Sequence, residues 1–348
     1  MSATPAPPPL ARSERQRWLY LRFAVFAVVA LLPVLVFSES QYFSTFVLAA
    51  IFASVAISLD VLLGFAGQLA LGQTALFGVG AYTSAILTTK HGVSTEIGML
   101  AGVAAAVAVA LVISPLLRLR GFYFALATLA QVLIAHELFT NWISATGGAS
   151  GLVGIGQFEF LGLVFVTQTH YYLFAYAVLL IVVLAAVHMR SSRFGRALVA
   201  IREDDTAAEA LGISVFSMKL RVWLVAAVFA GLAGVVYAYY LRFLSPAQFG
   251  LEPAIYVLAA VVIGGTGTVY GAVLGVTVVW LLPDMFASFE EYAVLALGVA
   301  VIVLMIFAPD GLIGRTERLA AAVRRRVRPR GAARGPLAGS EPGGSGAA

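Results

Sequence analysis

The sequence predicts an all-α polytopic integral membrane protein, and three observations carry that prediction. Of 348 residues, 61% are hydrophobic and only 11% charged, where a soluble domain carries about 25% charged residues. The apolar residues, with a mean hydropathy of +0.96, fall in runs near the length of about 20 that a helix needs to cross a bilayer. The bases, finally, are shared unequally between alternate loops. The chain has no cysteine, so neither a disulfide framework nor a thiolate metal site is available.

Residues 1–17 are Pro-rich and then basic, the composition of a disordered tail. The apolar run after them is too long for a signal-peptide core, so it reads as an uncleaved first helix. That span is Trp18–Phe37, with Arg22 near enough to its end to snorkel. Phe46–Leu63 is the second, with Asp60 close to its end. Gly64–His91 follows as one glycine-interrupted span. Ile97–Leu117 is a plain Ala/Val/Leu span, and Gly121–Ile143 carries His136 and Glu137. Ser144–His170 is a glycine-rich external loop, and Tyr171–Met189 returns to the first side. Val222–Leu241 is the next span. Ala254–Leu282 reads as two short spans around a glycine cluster, and Tyr292–Phe307 is the last. From Arg315 to the end at 348 the chain is basic, then rich in Gly, Pro and Ser. The sum is about ten helices over 18–314, with both termini on one side.

Two stretches depart from plain hydrophobic helix, one in each half. Gly64, Gly67, Gly72, Gly78 and Gly80 crowd the first, together with Gln68, Gln73 and Tyr82. Each helical glycine costs about 1 kcal/mol relative to alanine. Such a density implies either a broken helix or close backbone approach to a neighbour. Gly264, Gly265, Gly267 and Gly271 mark the second stretch. Paired interruptions of this kind point to internal repeats that build a pathway near the membrane midplane, and unpaired amides are costly in lipid. These residues are therefore the pathway candidates.

The most polar stretch is the island Arg190–Arg221, with six bases (Arg190, Arg193, Arg196, Arg202, Lys219, Arg221) and four acids (Glu203, Asp204, Asp205, Glu209). So many charges must lie in water. Leu198, Ile201, Ala208 and Leu211 suit one face of a helix over Gly195–Leu211, and Gly212 supplies its stop. The helix is either a solvated connector or a docking element for a soluble partner.

Charge asymmetry sets the orientation. Of 22 bases, all but Lys90 and Arg242 fall in the tails, beside the Arg118–Arg120 turn or in the island. Under the positive-inside rule that face is cytoplasmic. Orientation thus accounts for the basic balance with no nucleic-acid partner.

Enzyme signatures are missing from the sequence. The four histidines, His91, His136, His170 and His188, show no metal-ligand spacing. No GxSxG elbow, HExxH pair or GxxxxGK[ST] loop occurs, so this chain is expected to bind no cofactor and to leave ATP to others. A pore or transporter remains. An ion-coupled carrier would need carboxylates in its pathway, and Asp60 and Glu137 are the two at hand. A transporter driven by a separate ATPase would need a cytoplasmic helix, which the island provides.

The longest distinctive stretches are GFAGQLALGQTALFGVGAYTSA (Gly64–Ala85), RLRGFYFALATLA (Arg118–Ala130), TGGASGL (Thr146–Leu152), GRALVAIREDDTAAEALGI (Gly195–Ile213), FAGLAGVVYAYYLRFLSPAQFG (Phe229–Gly250) and VVIGGTGTVYGAVLG (Val261–Gly275). In this order they resemble the LivM-type permease subunit of ABC importers for branched-chain amino acids. The resemblance implies a bacterial inner-membrane permease that works with a second permease subunit and two cytoplasmic ATPase subunits. A periplasmic or lipid-anchored solute-binding protein would deliver the solute, and membrane lipid would surround the rest. It implies that Gly195–Ile213 is the ATPase-coupling segment, with Arg196, Arg202, Glu203, Asp204 and Glu209 for polar contacts and Ala207, Leu211 and Gly212 for packing and the turn. Related permeases carry urea or short amides, and the binding protein sets most of that choice.

Overall fold

The computed structural model describes residues 43–285 except 161, together with 23, 25–28, 298 and 311. The two tails lie outside them. So, but for a few helical residues, do the expected spans Trp18–Phe37 and Tyr292–Phe307. The described chain is helical apart from the two-residue strands β1 (Glu159–Phe160) and β2 (Leu163–Val164), an antiparallel pair in the register Glu159↔Val164. Six helical segments are long and apolar enough to cross a membrane.

The first is α1, Phe43–Asp60, which runs on into a π-turn over Val61–Phe65. It has the highest hydropathy of the spans, and 83% of it is buried. A helix apolar on every side belongs at the centre of a protein, and α1 packs against most of the other long helices. The chain then leaves the helical path and re-enters it at α2, Gln73–His91. α2 lies against α3, Thr95–Val112. The buried residues of α3 are Gly98, Gly102, Ala106 and Ala110, spaced by four, a single small-residue stripe. Ile97, Leu100 and Leu111 are exposed on its other face. α3 ends at Val112, earlier than expected, because Pro115 cannot donate to the helix ladder; a 3-10 turn over Ser114–Arg118 follows.

α4, Phe122–Asn141, sits at the periphery, and α5, Gln168–Ser191, flanks α1. The island then forms α6, Arg193–Glu203, and α7, Asp205–Ala210. α8, Val215–Leu241, starts seven residues before the expected Val222, inside the island, and packs on α1, α2 and α3. α9, Leu251–Gly264, and α10, Val269–Met285, form the expected pair of short helices packed on α1. A β-carbon at Gly264 would run into the Gly271 carbonyl, and one at Gly275 into that of Ala260. Glycine thus lets these two helices touch backbone to backbone.

One end of the bundle gathers Arg118, Arg120 and the island: Arg118 lies over the Phe216 ring, and Arg120 shares a cleft with Arg202. The other end holds Lys90, which donates to the Ser144 carbonyl, and the Leu152–Leu244 bridge that follows Arg242. Among the described residues, the bases of the Arg118–Arg120 turn and the island thus lie together, apart from Lys90 and Arg242.

Candidate functional site

The two glycine-rich stretches meet. Asp60 is fully buried at the end of α1, and its Oδ1 accepts the Gly267 N–H at 2.6 Å. Gly64 lies one turn on. A β-carbon there would collide with Gly267 N and Cα and stand 2.6 Å from Asp60 Oδ1. Gly267 has φ +78° and Gly67 φ +68°, in the left-handed region that only glycine enters freely. The breaks at Gly64–Gly72 and Gly264–Thr268 therefore interlock through backbone.

Breaking a helix inside a membrane domain strands N–H and C=O groups, and α4 satisfies them. Thr128 Oγ1 accepts from Leu71 N at 3.1 Å, and Gln131 Nε2 donates to the Gly72 carbonyl at 3.2 Å. Ser58 Oγ lies 3.2 Å from Gln73 Oε1. Gln68 and Gln73 are both buried, and Gln68 Oε1 and Gln73 Nε2 have no hydrogen-bond partner. Thr128 and Gln131 were missed as site residues, although two polar side chains three apart in an apolar span were a readable sign of a shared polar face.

The other glycine candidates sit elsewhere. Gly78 is covered by the rings of Phe139 and Phe249, and Gly80 faces the Gly231 backbone of α8. Tyr82 stacks in the same aromatic group, 4.6 Å from Phe139 and 5.4 Å from Phe249, with its hydroxyl 3.4 Å from the Leu244 carbonyl. Gly271 belongs to the α9–α10 contact, and Gly265, at φ +105°, to the second break.

The island differs from the expected single helix. Asp204 leaves the helix at φ −160°, and its carboxylate accepts from Thr206 N at 2.7 Å and Ala207 N at 3.1 Å. An aspartate offered that N-cap starts a new helix in place of continuing the old one. The phase resets, so Leu211 leaves the expected apolar face and is 79% exposed. Ile213 packs in its stead against Ile201, Ala208 and Val215. Gly212 ends α7 at φ +81°, as expected. Asp205 of α7 pairs with Lys219 of α8 at 2.7 Å. Arg196 donates to the Ser191 carbonyl at 3.3 Å, while Glu203, Ala207 and Glu209 face outward.

Arg202 is also exposed along its length, but its tip turns to the body. Its Nη1 donates to the Gly64 carbonyl at 2.5 Å, and its stem lies along Gly67, where an added β-carbon would stand 3.0 Å from Cγ. A mainly polar cleft of 320 Å³ opens beside it, between Gly67–Gln68, Arg120–Gly121 and Arg202–Thr206. Asp60 feels the fields of Arg190 and Arg202, and its Oδ2 has no hydrogen-bond partner. Glu137 lies apart, exposed and bonded to Asn141 at 3.0 Å.

Known proteins agree with the resemblance seen in the motifs. The family model described as branched-chain amino acid transport system / permease component matches residues 41–308. The high-affinity branched-chain amino acid transport system permease protein LivM of Salmonella typhimurium is 33% identical over 291 residues, 77% of this chain and 68% of that protein. The protein of the same name in Escherichia coli K12 is 33% identical over 294 residues, 78% and 69% of the two chains. The LivH permease of Escherichia coli K12 matches at 29% over 134 residues, 38% of this chain and 43% of LivH. No solved structure matches significantly. With most of its length covered both by the family model and by LivM proteins, this chain belongs to the LivM-type family of branched-chain amino acid transport system permease components.

Proposed function

We propose that the chain is the membrane-spanning permease subunit of a binding-protein-dependent ABC importer of the inner membrane. Its cargo is a branched-chain amino acid, with urea and short amides the related alternatives. ATP is hydrolysed by separate subunits, and the other half of the pathway comes from a second permease of LivH character. The observation that carries this reading is the α6–α7 pair. It is rooted in the main core by Leu198, presents Val199, Glu203, Ala207, Glu209 and Leu211 outward, and is fastened to the body by Arg202 and Lys219. Its outward side mixes the acids Glu203 and Glu209 with the apolar Val199 and Leu211, a mixed surface suited to a soluble partner.

Counting α2, α10, Trp18–Phe37 and Tyr292–Phe307 as membrane helices beside the six long apolar ones makes ten. Both termini then lie on the island's side, and the excess of bases there assigns that side to the cytoplasm. The interlocked breaks at Gly64–Gly72 and Gly264–Thr268 are the part of the chain suited to shaping the pathway.

The test is purification in mild detergent from native membranes, with the co-purifying chains identified. A second permease and two ATPase subunits are expected. Reversing both Glu203 and Glu209 to lysine should remove the ATPases from that complex without blocking membrane insertion, and undiminished recovery would argue against docking by α6–α7. The competing reading is a self-sufficient ion-coupled carrier, for which buried Asp60 is the supporting observation. Ion-driven uptake by the purified chain alone would establish that reading instead.

A further inference from the structure

Beyond Leu198, which is buried in the main core, the island has two polar attachments of different kinds. On one side Asp205 is paired with Lys219 of α8, itself buried in the bundle. Ile201, Ala208 and Val215 close a small core around that joint. Val215, Lys219 and Val222 share a buried face of α8, so this is the fixed end. On the other side Arg202 reaches a different target, the carbonyl of Gly64, in the break where α1 has lost its regular ladder. That carbonyl belongs to the residue whose backbone locks against Gly267, and Gly267 is held by Asp60.

We propose that Arg202 is a positioning residue that transmits displacement of α6–α7 to the contact between the two broken segments. The inference rests on the reading of α6–α7 as the ATPase-docking element. A force applied to the exposed tip at Leu211 turns α6–α7 about the Asp205–Lys219 joint. The guanidinium, which donates a charge-assisted hydrogen bond to Gly64, carries that movement to the Gly64–Gly267 contact. Gly64 and Gly267 yield together because no side chain separates them. Arg202 thus serves a different purpose from its neighbours Glu203 and Glu209, which face the solvent.

The experiment uses the intact assembly in proteoliposomes with its binding protein, reading radiolabelled leucine uptake per ATP hydrolysed. Arg202→Gln should leave the co-purifying subunits and the ATPase rate within about twofold of wild type, and lower uptake per ATP about tenfold, because the shorter, uncharged amide cannot make the charge-assisted bond to Gly64. Arg202→Lys, which keeps a charge and a donor, should recover part of it. Should Arg202→Gln not accumulate, Arg202→Lys alone decides, by a ratio below wild type in a complete assembly. Wild-type uptake per ATP in either variant overturns the inference. So does loss of the ATPase subunits from Arg202→Gln, which would make Arg202 a docking residue. If the wild-type chain assembles with no ATPase at all, the parent reading fails, and that outcome is visible before any variant is made.

Discussion

The glycines of α2 and those of the two breaks look alike in sequence and behave oppositely in space. Gly78 and Gly80 lie inside an unbroken helix, where the missing side chain admits Phe139, Phe249 and the α8 backbone. Gly67, Gly265 and Gly267 hold positive φ and turn the chain out of its helix. Gly64 combines the close approach with the break. Glycine density in a membrane span therefore signals either close packing or a turn, and its neighbours in three dimensions decide which.

Substitutions sharpen that contrast. Gly64→Val should have the largest effect, because the new atoms meet Gly267 backbone and the Asp60 carboxylate, neither of which can withdraw. A cost of about 3 kcal/mol or more is expected, read as loss of monodisperse protein on size exclusion in detergent. Gly234→Ala tests pure packing. Its β-carbon meets the Phe77 carbonyl and lies 3.0 Å from Ala81 N, so α2 and α8 must part, at about 1–3 kcal/mol. The protein should still fold but melt at a lower temperature.

Asp60 tests the lock between the breaks. Asp60→Asn retains an oxygen to accept from Gly267 N–H, so assembly and uptake should stay within about twofold, a change of a few tenths of a kcal/mol. Asp60→Ala removes that acceptor and leaves a buried N–H unpaired, costing about 1–3 kcal/mol. An ion-coupled carrier would reverse this expectation, since the asparagine variant would abolish uptake. On transport the smallest effect belongs to Gly92→Ala. Nothing lies within 4 Å of the added atom, and only φ +62° resists it, so about 1 kcal/mol is expected, with transport unchanged.

Much of the bundle was legible from hydrophobic run length, because membrane insertion depends on the summed apolarity of about 20 consecutive residues. The spans at Phe46–Leu63, Gly121–Ile143 and Tyr171–Met189 needed nothing more. The start of α8 was harder. Lys219 is buried only because Asp205 neutralises it, and that partner is not visible in a local window. Leu211 was assigned to the wrong face because a single 3.6-residue phase was carried through Asp204, whose capping bonds restart it. The candidate site was legible in its parts but not in its assembly. Both breaks and the charged island stood out, while Thr128 and Gln131 passed as ordinary members of an apolar span.

By itself the sequence determined the membrane class, the helix stop at Gly212 and the existence of two broken segments. Each of these depends on composition or on residues within a turn or two of one another. Tertiary structure alone decided that the breaks touch, that Gly80 packs while Gly267 turns, and that Arg202 points inward to Gly64. Asp60 and Gly267 stand 207 positions apart, and no periodicity relates them. Their hydrogen bond exists because Gly64, one turn after Asp60, carries no side chain and lets the Gly267 N–H reach the Asp60 carboxylate.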